Sequence, residues 1–230
     1  MIITIASFKG GVSKTTTAVH LAAYLQKRSP TLLIDGDPNR SATGWSRRGQ
    51  LPFKVVDERL AAKYAREFEH CVIDTEARPD EEDLRALADG CDVLVVPTTP
   101  DALALDALML TVKALNGLGA TRYRILLSII PPRPSRDPEE ARSTPTEAGL
   151  PLLSRGVRRL VAFQKAALAG VPVYAVDDPL LARIALARAS ISATPLFGGD
   201  WRPACPPTAA WPWCSQTGRQ TCLRAWKELH

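Results

Sequence analysis

The sequence predicts a doubly wound α/β domain, a mostly parallel sheet with helices on both faces. Three observations point there. Short apolar runs alternate with helical patterns through the first 130 residues. Those runs are near-continuous rather than period-two, as strands covered on both faces must be. A chain of 230 residues, 46% hydrophobic and 23% charged, can also bury one full core.

Taken in order, the β-type runs are residues 2–6, 31–34, 53–56, 71–73, 93–96 and 125–130. Between them, helical periodicity covers 15–27, 57–68, 80–88 and 102–118. A proline-rich loop begins at Pro131-Pro132, two further helices are expected over 138–148 and 155–169, and 171–174 reads as extended. Ligands of such a sheet collect at the carboxyl ends of the strands. Residues 1–190 form the expected domain. Residues 191–230 hold four of the five tryptophans and three of the five cysteines with little periodicity, and are expected to be irregular or disordered.

The first strand end carries the most chemistry. Ser7-Phe8-Lys9-Gly10-Gly11-Val12-Ser13-Lys14-Thr15-Thr16 joins a strand to a helix, which is the setting of a phosphate-binding loop. Glycines let consecutive N–H groups curl toward phosphate oxygens, and the helix presents its positive end to the same anion. Gly10, Gly11, Val12, Ser13, Lys14, Thr15 and Thr16 are therefore assigned to the nucleotide. Lys14 would reach the terminal phosphates and the Thr15 hydroxyl would ligate Mg²⁺. The second strand ends in Asp35-Gly36-Asp37-Pro38 and the fourth in Asp74, acids placed where a metal–phosphate site would lie.

The KGGxxKTT string, with Lys9 five residues before Lys14, resembles the deviant Walker A motif of the ParA/MinD family of P-loop ATPases. The resemblance implies ATP and Mg²⁺ as ligands and a nucleotide-sandwich homodimer in which Lys9 reaches the partner's nucleotide. It implies that Asp37 orients the attacking water, that Asp35 and Asp74 hold Mg²⁺ through water, and that adenine lies against Pro131 and Pro132. Catalysis would rest on Lys9, Lys14 and Asp37, giving slow ATP hydrolysis. Ser13 departs from the family, which has glycine there; a positive φ would cost serine about 1 kcal/mol.

Residues 32–45, 73–92, 99–110 and 158–173 most resemble the carboxysome-positioning subgroup. That implies non-specific double-stranded DNA and a cargo adaptor that stimulates hydrolysis as partners, in the cytoplasm on the nucleoid. Plasmid or chromosome partitioning is the alternative, and a dethiobiotin synthetase-like ligase is the alternative of another class. Arg155, Arg158, Arg159 and Lys165 share one expected helix and, with Arg183, form the expected DNA surface; Arg47 and Arg48 offer another patch. A net charge of +5 permits such contacts without requiring them. Five cysteines without CxxC spacing argue for a reducing compartment. The immediate opening strand leaves no stretch for a secretory leader, and no apolar run is long enough for a spanning helix, so no stable membrane association is expected.

Overall fold

The computed structural model describes residues 1–131, 142–143 and 145–176. The strands are β1 (Ile2–Ser7), β2 (Thr31–Gly36), β3 (Lys54–Asp57), β4 (His70–Ala77), β5 (Val93–Thr98) and β6 (Tyr123–Leu127). They form one sheet of order β3-β2-β4-β1-β5-β6, every pairing parallel. This is the predicted architecture. Pro132, Arg183 and the tail 191–230 lie outside the described residues.

Both faces of the sheet are buried, which explains the unbroken apolar runs. Alternate residues of each strand face opposite ways. Ile3, Ile5, Leu33, Val72 and Val95 pack against α1 (Lys14–Gln26), α2 (Ser41–Arg48) and α6 (Val161–Ala169). On the other face, Leu94, Val96 and Ile125 pack under α4 (Glu81–Asp89) and α5 (Ala102–Gly117). Leu32, Ile34 and Ile73 pack under α3 (Ala61–Tyr64). Each fully buried Ile or Leu contributes about 1.5–3 kcal/mol, so the sheet is the main source of stability. Asp80 and Asp101 start α4 and α5 by accepting from the N–H groups of Asp83 and Ala104.

Four expectations need correction. The helix expected over 57–68 is three short pieces: 3-10 turns at Glu58–Leu60 and Ala65–Glu67 flank the single turn of α3. Residues 171–174 are not simply extended, because Val173–Ala175 forms a 3-10 turn. Helix α2 was not foreseen. The sequence SATGWSRR is poor in helix formers, and only Ala42 and Trp45 face the core.

The fourth correction matters most for function. The helix expected over 155–169 begins only at Val161. Residues 151–159 instead run along the open edge of β6. The amide of Ile125 donates to Pro151, Leu153 to Ile125, Val157 to Leu127 and Arg159 to Ile130. Those bonds satisfy an edge that would otherwise be exposed, and they outweigh the helical pattern of the local sequence. Gly156 makes the close passage possible: a Cβ there would stand 2.6 Å from the Leu127 carbonyl oxygen.

Candidate nucleotide site

The loop between β1 and α1 has the backbone that its glycines predict. Gly11 sits at φ 75° and Ser13 at φ 69°, and no atom lies within 4 Å of where a Cβ on Gly10 or Gly11 would be. The open space faces away from the protein. Ser13 does adopt the left-handed conformation for which serine is penalised. Its carbonyl accepts from Thr17 N–H to begin α1. The loop is braced from behind by Ser128, a fully buried residue whose hydroxyl lies 2.9 Å from the Val12 carbonyl and 3.1 Å from that of Thr98.

Lys14, the first residue of α1, is buried. Desolvation lowers its pKa, opposed by the charges of Asp74, Asp37 and Glu76. Asp74 shows the complementary effect: burial pushes its carboxyl up to about 7, raised further by Asp35 and Asp37 and opposed by Thr15 and Lys14. Asp35 and Asp74 are register partners on neighbouring strands, both fully buried. The Thr15 hydroxyl bears on the Asp74 carboxyl, yet no donor meets full hydrogen-bond geometry at either Asp74 oxygen or at Oδ1 of Asp35. Buried carboxylate oxygens without donors are costly unless a cation or its water completes them. The residues present therefore fit a hydrated Mg²⁺ beside Thr15, although among the described residues no cluster forms a metal cage on protein ligands alone. That is how Mg²⁺ is ordinarily held, through few protein groups, phosphate and several waters.

Asp37 stands two residues beyond Asp35 in the turn that enters α2, its Oδ1 accepting from the backbone and side-chain amides of Asn39 at 2.8 and 2.9 Å. Arg40 follows at φ 51°. Its guanidinium reaches the Asp35 carbonyl at 2.7 Å and both Asp57 and Glu58 at 3.1 Å, a clamp that holds the strained turn. Lys9 lies on the opposite rim, paired with Asp101 at 2.8 Å. Asp101 also caps α5 and accepts from the Thr99 hydroxyl. Pro131 follows Ile130 at the outer edge, partly buried.

The structure thus gathers Lys14, Asp35, Asp37 and Asp74 at adjacent strand ends, with Lys9 on the rim. It does not gather the expected basic helix. Arg155 and Arg159 are exposed on the β6-edge segment and Arg158 is partly buried there. Lys165 alone belongs to α6, exposed. Arg48 is engaged elsewhere, its Nε donating to the Ala167 carbonyl at 2.6 Å near the end of α6. Sequence reasoning also missed Ser128, Arg40, Thr43 and Glu76. Only Glu76 carried a local signal, as an acid two residues after Asp74.

Comparison with known proteins places the fold in a family. Residues 3–173 match the CobQ/CobB/MinD/ParA nucleotide binding domain. The chain is 36% identical over 179 residues to the maintenance of carboxysome distribution protein A of Gloeobacter kilaueensis, covering 75% of this chain and 83% of that one. Among solved structures it resembles an ATP complex of a variant McdA from Cyanothece, with a TM-score of 0.62 at 18% identity over 79% and 92% of the two chains. It also resembles the septum site-determining protein MinD with Mg-ADP from Pyrococcus horikoshii, with a TM-score of 0.60 at 17% identity over 81% and 93%. At those identities the structural likenesses speak for the fold alone.

Proposed function

This chain belongs to the CobQ/CobB/MinD/ParA nucleotide-binding family and is an ATPase, and from that premise we propose that it positions a carboxysome-like cargo along nucleoid DNA. ATP would assemble a homodimer, the dimer would bind DNA without sequence preference, and slow hydrolysis prompted by a cargo adaptor would release it. The observation that carries the nucleotide part is the buried Asp35–Asp74 pair, with oxygens lacking donors, beside buried Lys14. Similarity to a carboxysome distribution protein supports the choice of cargo.

In this reading the loop from Gly10 to Thr16 wraps the phosphates, and Lys14 neutralises the terminal ones. Thr15 would hold Mg²⁺, with Asp74 and Asp35 acting through water. When bound, the ion supplies charge neutralisation on the phosphates. Asp37 would hold the attacking water; its attachment to Asn39 keeps the carboxylate at the mouth of the site. Lys9 would exchange Asp101 for the partner's triphosphate. Its pair with Asp101 is largely exposed, so the exchange costs about 1 kcal/mol or less. Adenine would rest near Pro131 and Pro132. Arg155, Arg158, Arg159, Lys165 and Arg183 remain the proposed DNA contacts, now on an extended edge segment, α6 and a residue outside the described region.

The test is Asp37→Ala with ATP and Mg²⁺. Light scattering after size exclusion should find a dimer that persists for hours, and that dimer should retard random-sequence duplex at low salt. Retardation should fall steeply as salt rises, because phosphate contacts release counterions. A variant that stays monomeric at saturating ATP refutes the sandwich; a dimer that ignores DNA refutes the nucleoid track.

A further inference from the structure

Helix α2 begins without a cap of its own. Arg40 stands at its N-cap position and makes no side-chain capping bond. The first-turn N–H groups of a helix need acceptors, and here one comes from outside the helix. Oδ2 of Asp35 accepts from Thr43 N–H at 2.7 Å and from Thr43 Oγ1 at 2.6 Å. Both donors converge on one oxygen. The other, Oδ1, is buried without a donor, in register with Asp74, whose two oxygens are in the same condition.

We infer that Thr43 is a positioning residue for the cation site, fixing the Asp35 carboxyl so that Oδ1 is the oxygen presented to the hydrated metal. This rests on the proposed Mg-ATP site and goes beyond it. A carboxyl with no fixed donor can rotate about its terminal torsion, which is broad and two-fold. Two donors on one oxygen remove that freedom. The hydroxyl is the adjustable half, since the backbone N–H remains whatever side chain occupies position 43. Capping and metal-facing duties fall on one carboxylate, so the start of α2 is tied to cation occupancy. Thr43 lies within the 32–45 string that carries the resemblance, but nothing in that string says that its hydroxyl reaches back to Asp35.

The experiment measures binding rather than turnover. N-methylanthraniloyl-ATP is titrated into the full chain at a series of Mg²⁺ concentrations, and the Mg²⁺ midpoint for tight binding is read. Thr43→Val keeps the shape and removes the hydroxyl; its midpoint should rise about tenfold, with nucleotide binding in EDTA within twofold of wild type. Thr43→Ser restores the hydroxyl and should return the midpoint to within twofold. If Thr43→Val does not fold, Thr43→Ala is read in the same way. An unchanged midpoint in a folded valine or alanine variant overturns the inference, as does a serine variant as impaired as the valine one, which would assign the effect to the methyl group. A wild-type chain whose nucleotide binding ignores Mg²⁺ overturns the site reading and this inference together. A magnesium-dependent wild type with an unaffected valine variant overturns the inference alone.

Discussion

The two flanks of β1 are built on different principles. On the β2–β4 flank, Lys14, Asp35, Asp37 and Asp74 meet because parallel strands in register bring their ends level. On the β5–β6 flank, residues 151–159 take their path from hydrogen bonds to a strand edge about 30 residues earlier in the chain. The first flank keeps room for a ligand, with nothing near the missing Cβ atoms of Gly10 and Gly11. The second is closed, with Gly156 pressed against β6. Glycines therefore leave open space on one flank and permit close packing on the other.

The largest expected effect separates those two uses. Gly156→Val would put a Cβ 2.4 Å from Ile130 Cδ1 and 2.6 Å from the Leu127 carbonyl oxygen, and the backbone atom cannot swing aside. Overpacking of that kind should cost about 3 kcal/mol. Gly10→Ala should leave stability within about 0.5 kcal/mol, as surface changes usually do, while weakening ATP at least tenfold. Chemical denaturation paired with nucleotide titration checks both. Equal loss of stability in the two variants would erase the distinction between the flanks.

Legibility follows the same division. Lys14, Asp35, Asp37 and Asp74 on the β2–β4 flank were legible because strand, loop and helix follow one another within a few residues, whereas Glu76, on the same strand as Asp74, was passed over. The sheet was readable because burial on both faces leaves its mark on each strand separately. The start of α6 was not, since the helical period of residues 155–160 gives way to backbone bonds with β6 that no local window contains. Helix α2 was hidden for a related reason: its first turn is capped by Asp35, which precedes the helix across the Asp37–Arg40 turn. Ser128 braces Val12 from 116 residues away.

A smaller effect should appear where α1, α2 and α6 meet. His20 lies between Trp45 and Phe163, with ring centroids 5.7 and 5.0 Å away. Its Nδ1 is 2.7 Å from the Thr16 carbonyl and its Nε2 accepts from Val173 N–H at 3.0 Å, which fixes a neutral tautomer. Burial lowers its pKa from 6.5 to about 4. Between those values the unfolded chain binds the proton and the native one does not. The contribution is full above pH 6.5 and is lost as pH falls toward 4, at most about 3.4 kcal/mol. The raised pKa of Asp74 acts with the opposite sign, its native carboxyl holding a proton that the unfolded chain has released between about pH 4 and 7. Comparing wild type with His20→Gln cancels that contribution. Unfolding at pH 7.5 and 4.5 should show the variant losing less stability on acidification; equal losses would mean that His20 is neither buried nor neutral.

The smallest effect tests whether the open flank is already shaped for its ligand. Ser13 is held at φ 69°, so serine carries its cost, about 1 kcal/mol, in the folded state. Ser13→Gly removes that cost but gives the unfolded chain more freedom, so the net gain should be about 0.5 kcal/mol, or roughly 1–2 °C in Tm. If the loop keeps the same backbone when phosphate arrives, the strain is common to free and bound forms and cancels from the affinity. ATP should then bind the glycine variant within twofold of wild type. A tenfold tighter Kd would mean that serine lets the free loop relax elsewhere and must be forced back, leaving a loop ordered by its ligand rather than by Ser128 and the glycines.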